Sequence, residues 1–307
     1  MEWIKVFAPA TVANIGPGFD ILGMAVTGLG DVVEARGNES GVVISHIEGT
    51  DKLPMESEKN TAGIAASEVL KLLENPGGIE IKLKKGLPLG SGLGSSAASA
   101  AAGAFAANAL YGNKLSKEEL ILPATKAEEK VSGFHADNTA PSLLGSAVLV
   151  RSLKPLDVIK LGTIDEITIV LVTPDNSIFT KEARTVLPDS VTLEKYVRNM
   201  ANTSAVSTAF VKNDYGLFVR SLTDEVVEPE RAKLINGIDE VKKAGLDAGA
   251  DSVNISGSGP TLFAVINQQE EKANSIASDM VQAFSNAGRE SKSQISRIDL
   301  EGTRIIP

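Results

Sequence analysis

No cysteine occurs among the 307 residues, which excludes disulfides, thiol catalysis and thiolate metal sites together. Two histidines are too few for a zinc site built on imidazoles. Aromatic residues make up only 4%, so alanine, glycine and β-branched residues must fill the core. Basic residues are outnumbered, 30 against 39 acidic, for a formal net charge of -9. The one basic cluster, Lys82, Lys84 and Lys85, is not the basic face that a nucleic-acid binder needs. The alanine-rich run is too short to span a bilayer, and MEWIKVFAPA has no basic flank leading into an apolar secretory segment. A cytoplasmic location, with no membrane or nucleic-acid partner, is the expectation.

What the chain does have is glycine, 28 of them, beside a hydrophobic fraction of 43% that fits a globular fold. The stretch GLPLGSGLGSS, Gly86 to Ser96, runs directly into AASAAAGAFAANAL. Glycines 90, 92 and 94 free the backbone to turn its N–H groups inward. Ser95 or Ser96 is expected to cap the helix that follows, whose first-turn N–H groups would then face the loop. Loop and helix end together suit an anion, phosphate above all. A tight turn before a buried helix would use the same residues. The P-loop ending Gly-Lys-Ser/Thr is absent.

Strands are expected at WIKVFAP, GDVVEAR, GVVISHIEG, IEIKLKK, SAVLVRS, EITIVLVTP, TLFAVI and SQISRIDL. Helices are expected near 61–73, 116–131, 193–211 and 230–244, the second opened by a capping box of Ser116 and Glu119. Ile276, Met280 and Phe284 form one apolar helix stripe. TVANIGPGFDILGMAV and HADNTAPSLLG read as loops. A composition change after Leu153 divides the chain into residues 1–153 and 154–307, and the pattern is α+β.

Three separated stretches are APATVANIGPGFDILG, LPLGSGLGSSAA and NISGSGPTLFAV. In this order they resemble the three motifs of the small-molecule kinase superfamily that includes galactokinase, homoserine kinase, mevalonate kinase and phosphomevalonate kinase. HADNTAPSLLG, FTKEARTVLP and EPERAKLI add a resemblance to the homoserine kinase family over essentially the whole chain. The resemblance implies an N-terminal ATP-binding kinase domain with a left-handed βαβ unit and a C-terminal ferredoxin-like domain. It also implies ATP-dependent phosphorylation of the L-homoserine hydroxyl, a step of threonine biosynthesis, with Mg²⁺ and in a homodimer.

Residue by residue, the resemblance implies that Pro88, Leu89, Gly90, Ser91, Gly92, Leu93, Gly94, Ser95 and Ser96 wrap the ATP phosphates. It gives Mg²⁺ to Ser96 and Glu128, with Glu129 as the alternative ligand. Asn60 is either an adenine contact or a plain helix cap. Arg184 and Arg231 are expected to clamp the homoserine carboxylate, since a guanidinium fork matches two oxygens. Asp20 and Asn14 are expected at the ammonium, with Asn138 and His135 near the substrate and Thr180 near its hydroxyl. His135 also fits as a packing residue. The mevalonate kinase branch uses an aspartate in a similar place as base, but here the resemblance leaves Asp137 a supporting role. The competing readings are a kinase of another small alcohol and a nucleotide-binding protein without turnover.

Overall fold

The computed structural model describes residues 2–307. Its first sheet contains β1 (Ile4–Ala13), β2 (Leu22–Asn38), β3 (Val42–Glu48), β4 (Gly78–Lys84), β5 (Ala147–Leu153), β6 (Leu156–Gly162) and the C-terminal β11 (Arg304–Ile306). The main path is β11-β1-β2-β4-β3, and the β5–β6 hairpin joins at β2. β2 is long because it serves three neighbours: residues 22–24 pair with β5, residues 32–38 with β4, and β1 follows both stretches across an irregularity at Pro9/Ala10. β3 and β4 are parallel and joined through α1 (Thr61–Leu72).

α2 (Ser95–Leu110), α3 (Ile121–Glu129) and α4 (Thr139–Leu144) pack with α1 behind this sheet. Twelve of the sixteen α2 residues are buried, so this helix is enclosed all round rather than amphipathic. Its small side chains make that possible. A Cβ on Gly103 would lie 2.3 Å from the Ala62 carbonyl oxygen, so α1 and α2 approach too closely there for any side chain.

The second sheet holds β7 (Ile167–Pro174), β8 (Ser252–Ile255), β9 (Leu262–Asn267) and β10 (Ser291–Ser296) in the antiparallel order β10-β7-β9-β8. That order, with a helical crossover in each half, is ferredoxin-like. α5 (Thr180–Thr185), α6 (Leu193–Lys212), α7 (Tyr215–Arg220), α8 (Glu228–Ala232) and α9 (Ile238–Asp247) connect β7 to β8. α10 (Glu270–Asn286) connects β9 to β10 and buries the expected stripe of Ile276, Met280 and Phe284.

The division expected at 153/154 lies at the turn of the β5–β6 hairpin, and the chain leaves the first sheet after Gly162. Val206, Ala209, Phe210 and Phe218 of α6 and α7 also join the first core. Only half of the supposed loop at 11–26 is irregular: residues 14–21 lie between β1 and β2, and the rest is strand. HADNTAPSLLG contains α4, whose Pro141 sits in the first turn, where a missing N–H costs little. Ser116 and Glu119 do exchange the two capping-box hydrogen bonds, at 2.7 and 3.3 Å, but around a separate turn before α3. The helix expected over 230–244 is broken in two, with Gly237 at φ +77° just before α9.

Candidate active site

A cleft of about 550 Å³ is lined from both sheets' sides of the molecule. One wall is the glycine loop. Gly90, Gly92 and Gly94 all have positive φ, at 64°, 81° and 67°. α2 is capped by Gly94, with no side-chain cap hydrogen bond, and not by Ser95 or Ser96. The Ser95 hydroxyl instead donates to the Leu87 carbonyl at 3.1 Å. The first-turn N–H groups of α2 therefore remain for a ligand, at the positive end of the helix dipole.

The third motif buttresses this loop. The Ser256 hydroxyl donates to the Gly92 carbonyl at 2.7 Å, and the Thr261 N–H donates to the Ser91 carbonyl at 3.1 Å. Glycine is required at both close approaches. A Cβ on Gly92 would lie 2.4 Å from the Ser256 carbonyl oxygen, and one on Gly94 would lie 2.1 Å from Thr11 Oγ1.

Next to the loop's end stands Glu128, buried in the cleft, whereas Glu129 is exposed outside it. Ser132 Oγ donates to Glu128 Oε2 at 3.0 Å, but buried Oε1 accepts no hydrogen bond. Burial pushes the Glu128 carboxyl upward; Ser96 is the chief counterweight, although no aligned hydrogen bond joins it to Oε1. An orphaned carboxylate oxygen facing a serine is a donor set that fits Mg²⁺, which takes oxygen ligands and often only one or two from protein.

The opposite wall gathers charge. Residues 14–16 and Asp20 have positive φ, and the Asn14 side chain holds this turn. Its Nδ2 donates to the Gly257 carbonyl at 2.9 Å and its Oδ1 accepts the Asp20 N–H at 3.2 Å. Asn14 is therefore already engaged at both ends of its amide. Arg184 Nη2 donates to Asp20 Oδ1 at 2.6 Å, while Arg184 Nε is buried without a partner. Arg231, only 3% exposed, donates to the Gly257 carbonyl at 2.8 Å and the Ala183 carbonyl at 3.4 Å. Two of its five N–H donors are thus spent on backbone. Burial, then neighbouring Arg184, lowers its pKa to about 10, which keeps it charged at neutral pH. The Phe19 ring lies 5.2 Å from the Arg184 guanidinium and 5.0 Å from that of Arg231, one aromatic face between two cations.

Asp20, His135 and Asp137 bring ligand atoms within 4.8 Å of one another. His135 Nδ1 faces Asp137 Oδ1 at 3.3 Å, and Nε2 lies 3.2 Å from the Ser132 carbonyl oxygen. Burial, and then Arg184, would lower the His135 pKa, but the Asp137 and Asp20 carboxylates together outweigh them and the pKa is raised. Asn138 Oδ1 accepts the Thr11 hydroxyl at 2.7 Å, and Thr180 lines the cleft from α5.

The cleft therefore brings together Asn14, Asp20, Leu89, Gly90, Ser91, Gly92, Gly94, Ser95, Ser96, Glu128, His135, Asn138, Thr180, Arg184 and Arg231. Asn60, Pro88 and Leu93 do not line it. Asn60 is the α1 cap: Oδ1 accepts the Ala62 N–H at 3.1 Å and Nδ2 donates to the Pro54 carbonyl at 3.0 Å. Pro88 is exposed and Leu93 is buried away from the cleft. Lys52, Leu53 and the Phe19 platform escaped the sequence reading. Phe19 was the findable one, an aromatic set between the glycines and Asp20 in a chain poor in aromatics.

The chain matches the family models for the GHMP kinases N terminal domain over residues 60–146 and GHMP kinases C terminal over residues 206–286. It is similar to homoserine kinase of Arabidopsis thaliana, at 45% identity over 99% of this chain and 84% of that protein. Similarity to homoserine kinase of Chlorobium phaeovibrioides is 43%, over 100% of both chains. A crystal structure of homoserine kinase from Cytophaga hutchinsonii superposes with a TM-score of 0.94 at 43% identity, covering 100% of this chain and 98% of that one.

Proposed function

The chain belongs to the homoserine kinases of the GHMP kinase family, and from that premise we propose how its cleft carries the reaction. It is an enzyme that transfers the γ-phosphoryl group of ATP to the side-chain hydroxyl of L-homoserine, giving O-phospho-L-homoserine on the way to threonine. The observation that carries the site reading is one cleft with an uncapped helix N-terminus on one wall and an Asp–Arg pair on the other.

In this reading residues 90–96 and the first turn of α2 take the ATP phosphates, with the base toward Lys52 and Leu53. Ser96 and Glu128 hold Mg²⁺, which when bound neutralises phosphate charge. Fixed backbone donors stabilise the charge on the phosphoryl oxygens, and such positioning supplies most of the catalysis in phosphoryl transfer. Arg184 and Arg231 receive the homoserine carboxylate, the unused Arg184 Nε supporting the assignment. Asp20 receives the ammonium, with His135 beside it, and Asn14 acts by holding the Asp20 backbone. Thr180 and Asn138 orient the hydroxyl, whose proton leaves to phosphate or solvent. Asp137 orients His135 and is not the base.

The reading also keeps a homodimer in the cytoplasm. A light-scattering mass near twice 32.1 kDa supports the dimer, and a mass near 32.1 kDa removes it. Coupling ADP release to NADH oxidation tests the acceptor. Turnover is expected with L-homoserine and not with mevalonate, and ³¹P NMR should show a phosphomonoester. Turnover with mevalonate but not homoserine would overturn the acceptor-site reading.

A further inference from the structure

A buried ion pair lies under the phosphate loop. The side chains of Lys85, at the loop's entry, and Asp31, on β2, are 2% and 0% exposed. The Lys85 ammonium donates to Asp31 Oδ2, to the Ser95 carbonyl at 2.8 Å and to Ser99 Oγ at 2.8 Å, which spends all three of its N–H groups. Asp31 Oδ1 accepts the N–H groups of Gly86 and Leu87, at 3.0 and 3.2 Å. Its Oδ2 also accepts the Ser99 hydroxyl at 2.7 Å.

These bonds join the two ends of one loop. Gly86 and Leu87 enter it, and Ser95 and Ser99 leave it on α2. Stability alone is a poor reason for such a pair, because apolar side chains of similar volume often do as well once desolvation is counted. What apolar side chains cannot do is fix three backbone groups, the Gly86 and Leu87 N–H and the Ser95 carbonyl, in direction.

We propose that Lys85 and Asp31 are positioning residues for ATP: together they set the spacing and direction of the two loop ends, and so aim the loop's N–H groups at the phosphates. Neither touches the nucleotide in this scheme; the effect passes through Gly86, Leu87 and Ser95. The inference rests on the reading of the loop as the ATP site.

The test compares Asp31→Asn, Lys85→Met and the milder Ser99→Ala with wild type. KM for ATP, KM for homoserine, kcat and direct binding of MgADP by calorimetry are measured on folded protein. Nucleotide KM and Kd should rise about 10-fold or more in the first two variants, since small misplacements remote from the chemistry are costly. Homoserine KM should stay within about 2-fold, because the acceptor wall is untouched. Ser99→Ala should shift nucleotide affinity the same way by less. A lowered Tm with wild-type nucleotide affinity would make the pair purely structural and overturn the inference. Should the two charge variants fail to fold, Ser99→Ala decides on the same scale. Wild-type protein that binds no nucleotide would instead overturn the loop's reading, and the inference with it.

Discussion

Arg184 Nη2 donates to Asp20 Oδ1 at 2.6 Å, joining α5 to the turn after β1 across the cleft. The two charges assigned to opposite ends of the substrate thus neutralise each other. A zwitterion offers each a new partner, whereas a singly charged alcohol satisfies only one. Asp20→Asn should cut kcat/KM for homoserine roughly 30-fold, the scale of truncating a charged hydrogen bond. Activity on 4-hydroxybutyrate, which has no ammonium, should change little. Equal losses on both substrates would remove Asp20 from the ammonium site.

Glu128 and Glu129 separate cleanly by burial, and their variants should too. Glu128→Gln should lower turnover about 100-fold or more at limiting magnesium, because the metal's charge stabilisation is worth several kcal/mol. Ser96→Ala should fall in the same direction and recover partly at high magnesium. Glu129→Gln should match wild type. A crippled Glu129→Gln beside an active Glu128→Gln would contradict the assignment.

Much of this site was legible because its chemistry sits in three short motifs. Glycines at alternate positions before an alanine-rich helix point to an anion site without any coordinates. What escaped was set by contacts far apart in sequence. Asn60 has the composition of either a cap or a ligand contact, and only its bonds to Ala62 and Pro54 separate the two. The cap of α2 passed from the serines to Gly94 because Ser95 is drawn to Leu87. The composition change at 153/154 coincides with a hairpin turn, and the pairing of β11 with β1 from the far end of the chain has no local sequence signal.

His135 gives the site a pH signature. Its pKa is raised above the ordinary 6.5, burial being outweighed by Asp137 together with Asp20. Its protonated form therefore stabilises the fold fully below that ordinary value, and the contribution is lost as pH rises through the folded-state pKa. The Tm of His135→Gln should trail wild type at acidic pH and converge with it under alkaline conditions. Denaturation scans from pH 5 to about 9 would show it, since histidine titrates inside that window. A gap that widens with pH would contradict the sign.

Gly92 is held at φ +81° with no room for a Cβ against Ser256. Gly92→Ala should cost about 1–3 kcal/mol of stability, as forced left-handed backbone does. It should also raise KM for ATP more than KM for homoserine. Ser256→Ala, which removes only the bond to the Gly92 carbonyl, should show a smaller effect of the same kind. Unchanged nucleotide affinity in both would detach the third motif from the phosphate loop.

The most direct test is recognition of the homoserine carboxylate by Arg184 and Arg231. kcat/KM is measured for wild type, Arg184→Ala and Arg231→Ala against homoserine and its decarboxylated analogue, 3-aminopropanol. Each variant should lose roughly 30-fold or more with homoserine and most of its preference over 3-aminopropanol, while nucleotide affinity stays near wild type. Arginine variants that still prefer homoserine as strongly as wild type does would show that neither guanidinium reads the carboxylate.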